Sequence, residues 1–200
     1  SFDFKIASNI YSDSNHNMLT NALNYFYQNR ADIDIESEYI TSGDKSLLAH
    51  SRDRYTYIAD VQKVWKNGNL TTTEAVDTYA SSRITSEGGW NNADNYIKNV
   101  VNGGISMWTL QNMYERAIKT EEGKEKFADG SGTMIIPEVG NKIPDILDET
   151  AYELDWMSTM VVQPDEPNWG KYAGLVYNNI QEYRLRELIS YISRIDYDYL

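Results

Sequence analysis

The stretch Gly88-Gly89-Trp90-Asn91-Asn92-Ala93-Asp94-Asn95-Tyr96-Ile97-Lys98-Asn99-Val100-Val101-Asn102-Gly103-Gly104-Ile105-Ser106-Met107-Trp108-Thr109-Leu110 changes character in the middle. Its first half is small and polar, with a Gly-Gly pair that marks a turn or a close backbone approach. Its second half opens a helix expected over Val100 to Lys119, where Val101, Ile105, Trp108, Leu110, Met113, Tyr114 and Ala117 form a broad apolar stripe. Gly103-Gly104 inside that helix costs roughly 1–2 kcal/mol of propensity. Close helix packing or a bound ligand would explain the cost.

Working outward, the spacing of Met18, Leu19, Ala22, Leu23, Phe26 and Tyr27 predicts a helix over about Asn15 to Arg30. Pro144 begins another, at a position where proline is tolerated. Ile146, Leu147, Ala151, Leu154, Met157 and Met160 give that helix its expected core face. A last helix is expected over Leu185 to Arg194. Residues 2–12 read as extended, Ser42-Gly43-Asp44 and Pro164-Asp165-Glu166-Pro167 as turns, Lys66 to Glu87 as a long loop with room for a short helix, and 120–133 as a charged, Gly-rich loop. No run of alternating strands stands out, so the fold class is mainly α. The 200 residues suit one domain.

Composition narrows the function. A net charge of −12 disfavours nucleic acid and anionic membrane surfaces as partners. The absence of cysteine excludes disulfides and thiolate chemistry. No apolar run approaches a membrane span, and the N-terminus lacks the pattern of a signal peptide. With 16 Tyr and 5 Trp against 4 Phe, the aromatics carry polar edges, which suits either helix interfaces or the faces of sugar rings. Asn69-Leu70-Thr71 is a glycosylation sequon of a kind that arises often by chance. His16 and His50 share no ligand spacing, so no metal site is expected from them. Asp53, Asp60, Asp145, Asp148 and Glu149 could offer oxygen ligands to calcium, but the last three suit the positive end of a helix dipole better.

Several segments resemble family 9 glycoside hydrolases, the cellulase family. Residues 88–110 are similar to GGWYDAGDxGKYVVNGGxxxWTL without a gap. Residues 136–149, from Ile136-Pro137-Glu138 to Leu147-Asp148-Glu149, resemble IPESGNGxPDILDE, and Lys171 to Val176 follow in order. Leu23 to Arg30 resembles the family's opening helix. The resemblance implies a partial (α/α) barrel spanning 1–200 as a single domain, truncated relative to the family. It also implies a secreted protein and a β-1,4-glucan or cello-oligosaccharide ligand. The family cleaves such glucans with inversion, through a base-activated water and a separate general acid.

The departures fall on the chemistry. Inversion needs one carboxyl as acid and another as base. The family's DAGD aspartates correspond to Asn92 and Asn95, and an amide is not a proton acceptor near neutral pH. Loss of a positioned base costs about 10²–10⁴ in rate. Asp94, one residue off the base position, is the carboxylate available for rescue. The family's acid lies near the far end of a domain about twice this long, outside this stretch. Ile97 and Asn99 replace glycine and tyrosine beside the base, Tyr177 to Gln181 stands where the family reads HHKIH, and Ser46 to His50 stands where it reads RPAGH. Trp90, Tyr96, His50 and Trp169 remain as candidate sugar contacts, Trp90 with a core-packing role as the alternative. Half a barrel would expose helix faces, which self-association or a partner chain would cover. Three functions therefore compete: a glucan-recognising module without hydrolysis, a fragmentary endoglucanase active when complemented, and a non-catalytic assembly domain.

Overall fold

The computed structural model describes residues 11–13, 16–41, 55–57, 61–66, 69–74, 83–92, 97–166 and 170–180. Residues 2–10 of the extended segment expected over 2–12, the turn at Ser42-Gly43-Asp44 and the helix expected over Leu185 to Arg194 lie outside them.

In chain order the elements are β1 (Ser12–Asp13), β2 (His16–Asn17), α1 (Met18–Gln28), β3 (Tyr55–Tyr57), β4 (Val61–Lys66), β5 (Asn69–Glu74), β6 (Arg83–Thr85), β7 (Lys98–Asn99), α2 (Val100–Ala117), α3 (Glu121–Lys126), α4 (Asp145–Thr159) and β8 (Asn179–Ile180). The strands form four antiparallel pairs, β1 with β2, β3 with β6, β4 with β5 and β7 with β8. Lys66 stands opposite Asn69 in the β4–β5 pair. The long loop expected from Lys66 is thus corrected to a hairpin arm in its first part. The dipeptide between the two strands, Asn67-Gly68, is the strongest short hairpin signal a sequence carries.

Each helix starts where a side chain can take up an orphan N–H. Asn17 Oδ1 accepts the Thr20 N–H at 3.2 Å, which sets the start of α1 at Met18 rather than Asn15. Asn99 Oδ1 accepts the N–H groups of Val101 and Asn102 at 2.9 and 3.1 Å and so caps α2. Thr120 Oγ1 accepts the Gly123 N–H at 3.0 Å, and Glu121 and Glu122 fill the first turn of α3. That cap and dipole pattern makes a helix inside 120–133, which correct the loop expected there. Pro144 stands at the N-cap of α4, and turn backbone covers Pro164 to Glu166 as expected.

The main core joins Leu23 and Tyr27 of α1, Leu110 of α2, Ile146 of α4, and Ile35, Trp90, Phe127, Met134 and Ile136 from the connections. A second cluster of Trp156, Met160 and Ile180 lies beneath the Gly-Gly turn. On α4, Leu154 and Ala151 face outward, whereas Glu149, Glu153 and Trp156 face inward. The expected core face is therefore corrected by part of a turn. α2 buries Gly103 and Leu110 but leaves Val101, Ile105 and Trp108 about 58–65% exposed, so one side of its apolar stripe is bare.

Candidate functional site

The segment Ser86 to Asn92 runs between α1 and α4 and is held on every side. Its backbone pairs with the end of α1: Ala31 N–H donates to Gly89 O and Asn91 N–H to Asn29 O, both at 2.8 Å. Gly88 and Gly89 have φ of 85° and 78°, a region glycine enters freely. A Cβ on Gly89 would sit 2.6 Å from the Trp156 ring, so only glycine lets the chain lie flat on that indole.

Beneath the segment lies a buried set of charges. Arg30 donates from Nε and Nη2 to Glu149 and from Nη1 and Nη2 to Glu138, at 2.8–3.2 Å. Its guanidinium also stacks 4.5 Å from the Tyr152 ring centroid. Burial works against the Arg30 charge, but Glu149 and Glu138 outweigh it and hold the guanidinium's pKa above its ordinary value. Burial pushes the Glu149 carboxyl up, and Arg30 pulls it back. Glu149 Oε1 accepts the Trp90 indole N–H at 2.7 Å, and Glu153 Oε2 accepts the Trp90 backbone N–H at the same distance. Farther along, Asp32 accepts the Gly88 N–H at 3.0 Å, and Lys98 Nζ donates to Ser86 O and Gly88 O at 2.6 and 2.9 Å. Lys98 also lies 3.6 Å from Asp32.

These contacts assign places to the residues singled out from sequence. Trp90 is 6% exposed and packs on Phe26 with ring centroids 4.8 Å apart. Trp90 is thus one of the buried residues of the main core. Asn92 is half-buried, and its N–H donates to Ile97 O at 2.8 Å in an isolated antiparallel bridge. Asp94, Asn95, Tyr96, His50 and Trp169 lie outside the described residues. Asp145 accepts the Gly130 N–H, Asp148 accepts from Asn141, and Glu149 is committed to Arg30 and Trp90. No group of three or more His, Asp or Glu arranged for a metal occurs among the described residues.

Sequence reasoning missed Arg30, Asp32, Lys98, Glu149 and Glu153 as the frame of this segment. The signal available was the spacing of Glu149, Glu153 and Trp156, which share one face of α4 with Ile146. Beside Gly88 a cleft of about 230 Å³ is lined by Asp32, Ile33, Glu87, Tyr152 and Asp155. That is below the roughly 300–1,000 Å³ of ligand pockets, so it is too small to be a glucan groove.

The family described as Glycosyl hydrolase family 9 matches residues 16–183. Endoglucanase C of Cellulomonas fimi is 34% identical over 168 residues, covering 80% of this chain and 14% of the relative. A cellulose 1,4-beta-cellobiosidase of Acetivibrio thermocellus is 35% identical over 193 residues, covering 92% and 20%. Among solved structures, a Bacteroides ovatus GH9 protein superposes with a TM-score of 0.55 at 28% identity, over 80% of this chain and 24% of that one. A metagenome-derived glycoside hydrolase family 9 endoglucanase does so with a TM-score of 0.54 at 27% identity, over 82% and 24%. The chain thus spans a fifth or less of the length of these two curated relatives. Its elements fit part of the (α/α) barrel of those structures, and no described helix is long and apolar enough to cross a membrane. On the match over residues 16–183, the chain belongs to glycosyl hydrolase family 9.

Proposed function

We propose that this chain is a cellulase-related module, one helical domain over 1–200, that recognises β-1,4-glucan or cello-oligosaccharide and does not hydrolyse it. The observation that carries the reading is a contrast at one segment. Buried ion pairs hold Ser86 to Asn92 in place, yet Asn92 presents an amide where the family resemblance calls for a carboxylate. An amide can hold a sugar hydroxyl or a water by hydrogen bonding but cannot take its proton. Asn95 extends the same substitution to the base position. Tyr96, His50 and Trp169 are the remaining sugar contacts in this reading, with Trp90 as their support. A polymeric glucan outside the cell would make the protein a secreted one.

A second reading draws on the bare stripe of Val101, Ile105 and Trp108. In it the chain is a fragment of an endoglucanase, cleaving cellulose with inversion once a complementary segment supplies the acid and Asp94 serves as base. Self-association or a partner chain would cover the stripe, and a protein-assembly role alone is the limit of that idea. Incubation with amorphous cellulose, in the presence of an added C-terminal half of a family 9 catalytic domain that carries the acid, separates the readings. Retention of the protein on the pellet with no new reducing ends supports the first. Release of reducing ends that disappears in Asp94→Asn supports the second and overturns the first.

A further inference from the structure

The carboxyl of Glu153 is sealed from solvent at 1% exposure, and its two oxygens have unlike surroundings. Oε2 accepts the Trp90 backbone N–H at 2.7 Å. Oε1 is buried with no hydrogen-bond partner. It occupies the space left by the missing side chain of Gly103, 1.9 Å from where a Cβ there would stand. Glu153 therefore ties α4 to the Ser86–Asn92 segment on one side and wedges against α2 on the other.

An ionised carboxylate with one unsatisfied oxygen in a dry interior is costly, whereas a neutral carboxyl is less so. The charged groups around it do not remove that cost. Glu149, one turn earlier on α4, opposes a second negative charge, and Arg30 is committed to Glu149 and Glu138. Lys98 on β7 favours the charge but is bonded to Ser86 O and Gly88 O and lies beside Asp32. Burial accordingly pushes the Glu153 carboxyl up to about 7 from its ordinary 4.5, against the opposing pull of the Trp90 N–H and Lys98.

We propose that Glu153 is a positioning residue, a proton-held latch that seats the segment bearing Asn92 while neutral and loosens it when ionised. The proposal rests on reading that segment as part of a glucan site. If the segment lifts away, water reaches the carboxyl and it ionises more readily. Rising pH therefore favours the loosened form. The seated form is held fully at acidic pH and loses that support as pH climbs through neutrality.

Amide exchange of the full chain reads this directly, without glucan. The Trp90 amide is expected to be less protected than the Leu110 amide of α2, because the segment opens separately from the fold. Its protection is expected to fall more than about tenfold between pH 5.5 and 7.5 in the wild type and to stay level in Glu153→Gln. Three results would overturn the latch: equal protection of Trp90 and Leu110, a level wild-type profile, or a fall that persists in Glu153→Gln. The first two need no variant, so a misfolded Glu153→Gln leaves the proposal open to refutation. Because exchange is measured without sugar, a failed latch leaves the glucan reading standing. Absence of cellohexaose binding sinks that reading while exchange still decides the latch.

Discussion

Arg30 Nη2 lies 3.0 Å from Glu149 Oε2, and the two side chains are 1% and 0% exposed. The pair bridges the end of α1 and the first turns of α4, 119 residues apart in sequence, and Glu149 passes the connection on to the Trp90 indole. Replacing both charges with apolar groups can be tolerated, whereas removing one strands the other in the core. Glu149→Ala is therefore expected to lose about 3–5 kcal/mol in urea unfolding, and Arg30→Met a similar amount. A loss below about 1 kcal/mol for both would mean that water reaches the pair.

The two glycines of α2 should respond in opposite directions. A Cβ at Gly104 meets only Met157 Cε at 3.6 Å, an ordinary contact, so Gly104→Ala is expected to stabilise by roughly 0.5–1 kcal/mol through helix propensity. A Cβ at Gly103 meets Glu153 Oε1 at 1.9 Å, so Gly103→Ala is expected to destabilise by about 1–3 kcal/mol despite the same gain. Thermal unfolding of the two variants side by side checks the contrast, and a shift of equal sign in both would contradict the packing described.

The pH dependence of stability carries the signature of Glu153. Its folded pKa of about 7 lies above the ordinary 4.5, so the group binds more protons folded than unfolded in between. The stability it confers is present below about pH 4.5 and is lost as pH rises through 7. Glu153→Gln keeps an oxygen for the Trp90 N–H and removes the ionisation. Its stability relative to wild type is expected to improve by about 2–3 kcal/mol between pH 4.5 and pH 8. Parallel pH profiles for the two proteins would show that the carboxyl does not titrate in that window.

The bare stripe of α2 makes a separate expectation. Trp108 is 65% exposed, so Trp108→Gln should change the unfolding free energy of the isolated chain by no more than about 0.5 kcal/mol. A loss above about 2 kcal/mol would mean that the face is covered in solution, and sedimentation of the wild type would then identify a self-associated form.

Helices α1, α2 and α4 and their order are legible in the sequence because apolar spacing and family motifs coincide along them. The Gly-Gly pair in α2 leaves close packing and a bound ligand both open in the sequence; at Gly103 the structure puts the Glu153 carboxyl in the space, a partner no local pattern marks. Glu149 and Glu153 were hidden for a physical reason. Buried acids interrupt the apolar pattern, and their burial depends on Arg30, Trp90 and Lys98, which lie 55–119 residues away in sequence. Hence the face of α4 was drawn through Leu154 rather than Trp156. Short elements were hidden differently: α3 depends on the Thr120 cap, and the β4–β5 pair has no alternating apolar run. Asn99 read as a departure from the family beside the base position and proved to be the cap of α2.

Calorimetry with cellohexaose on the full chain, followed by chromatography of the same sample, tests the central claim most directly. The expected result is saturable heat of binding and a recovered sugar that is wholly cellohexaose. Shorter cello-oligosaccharides in the recovered sample would contradict the account, as would the absence of any binding heat.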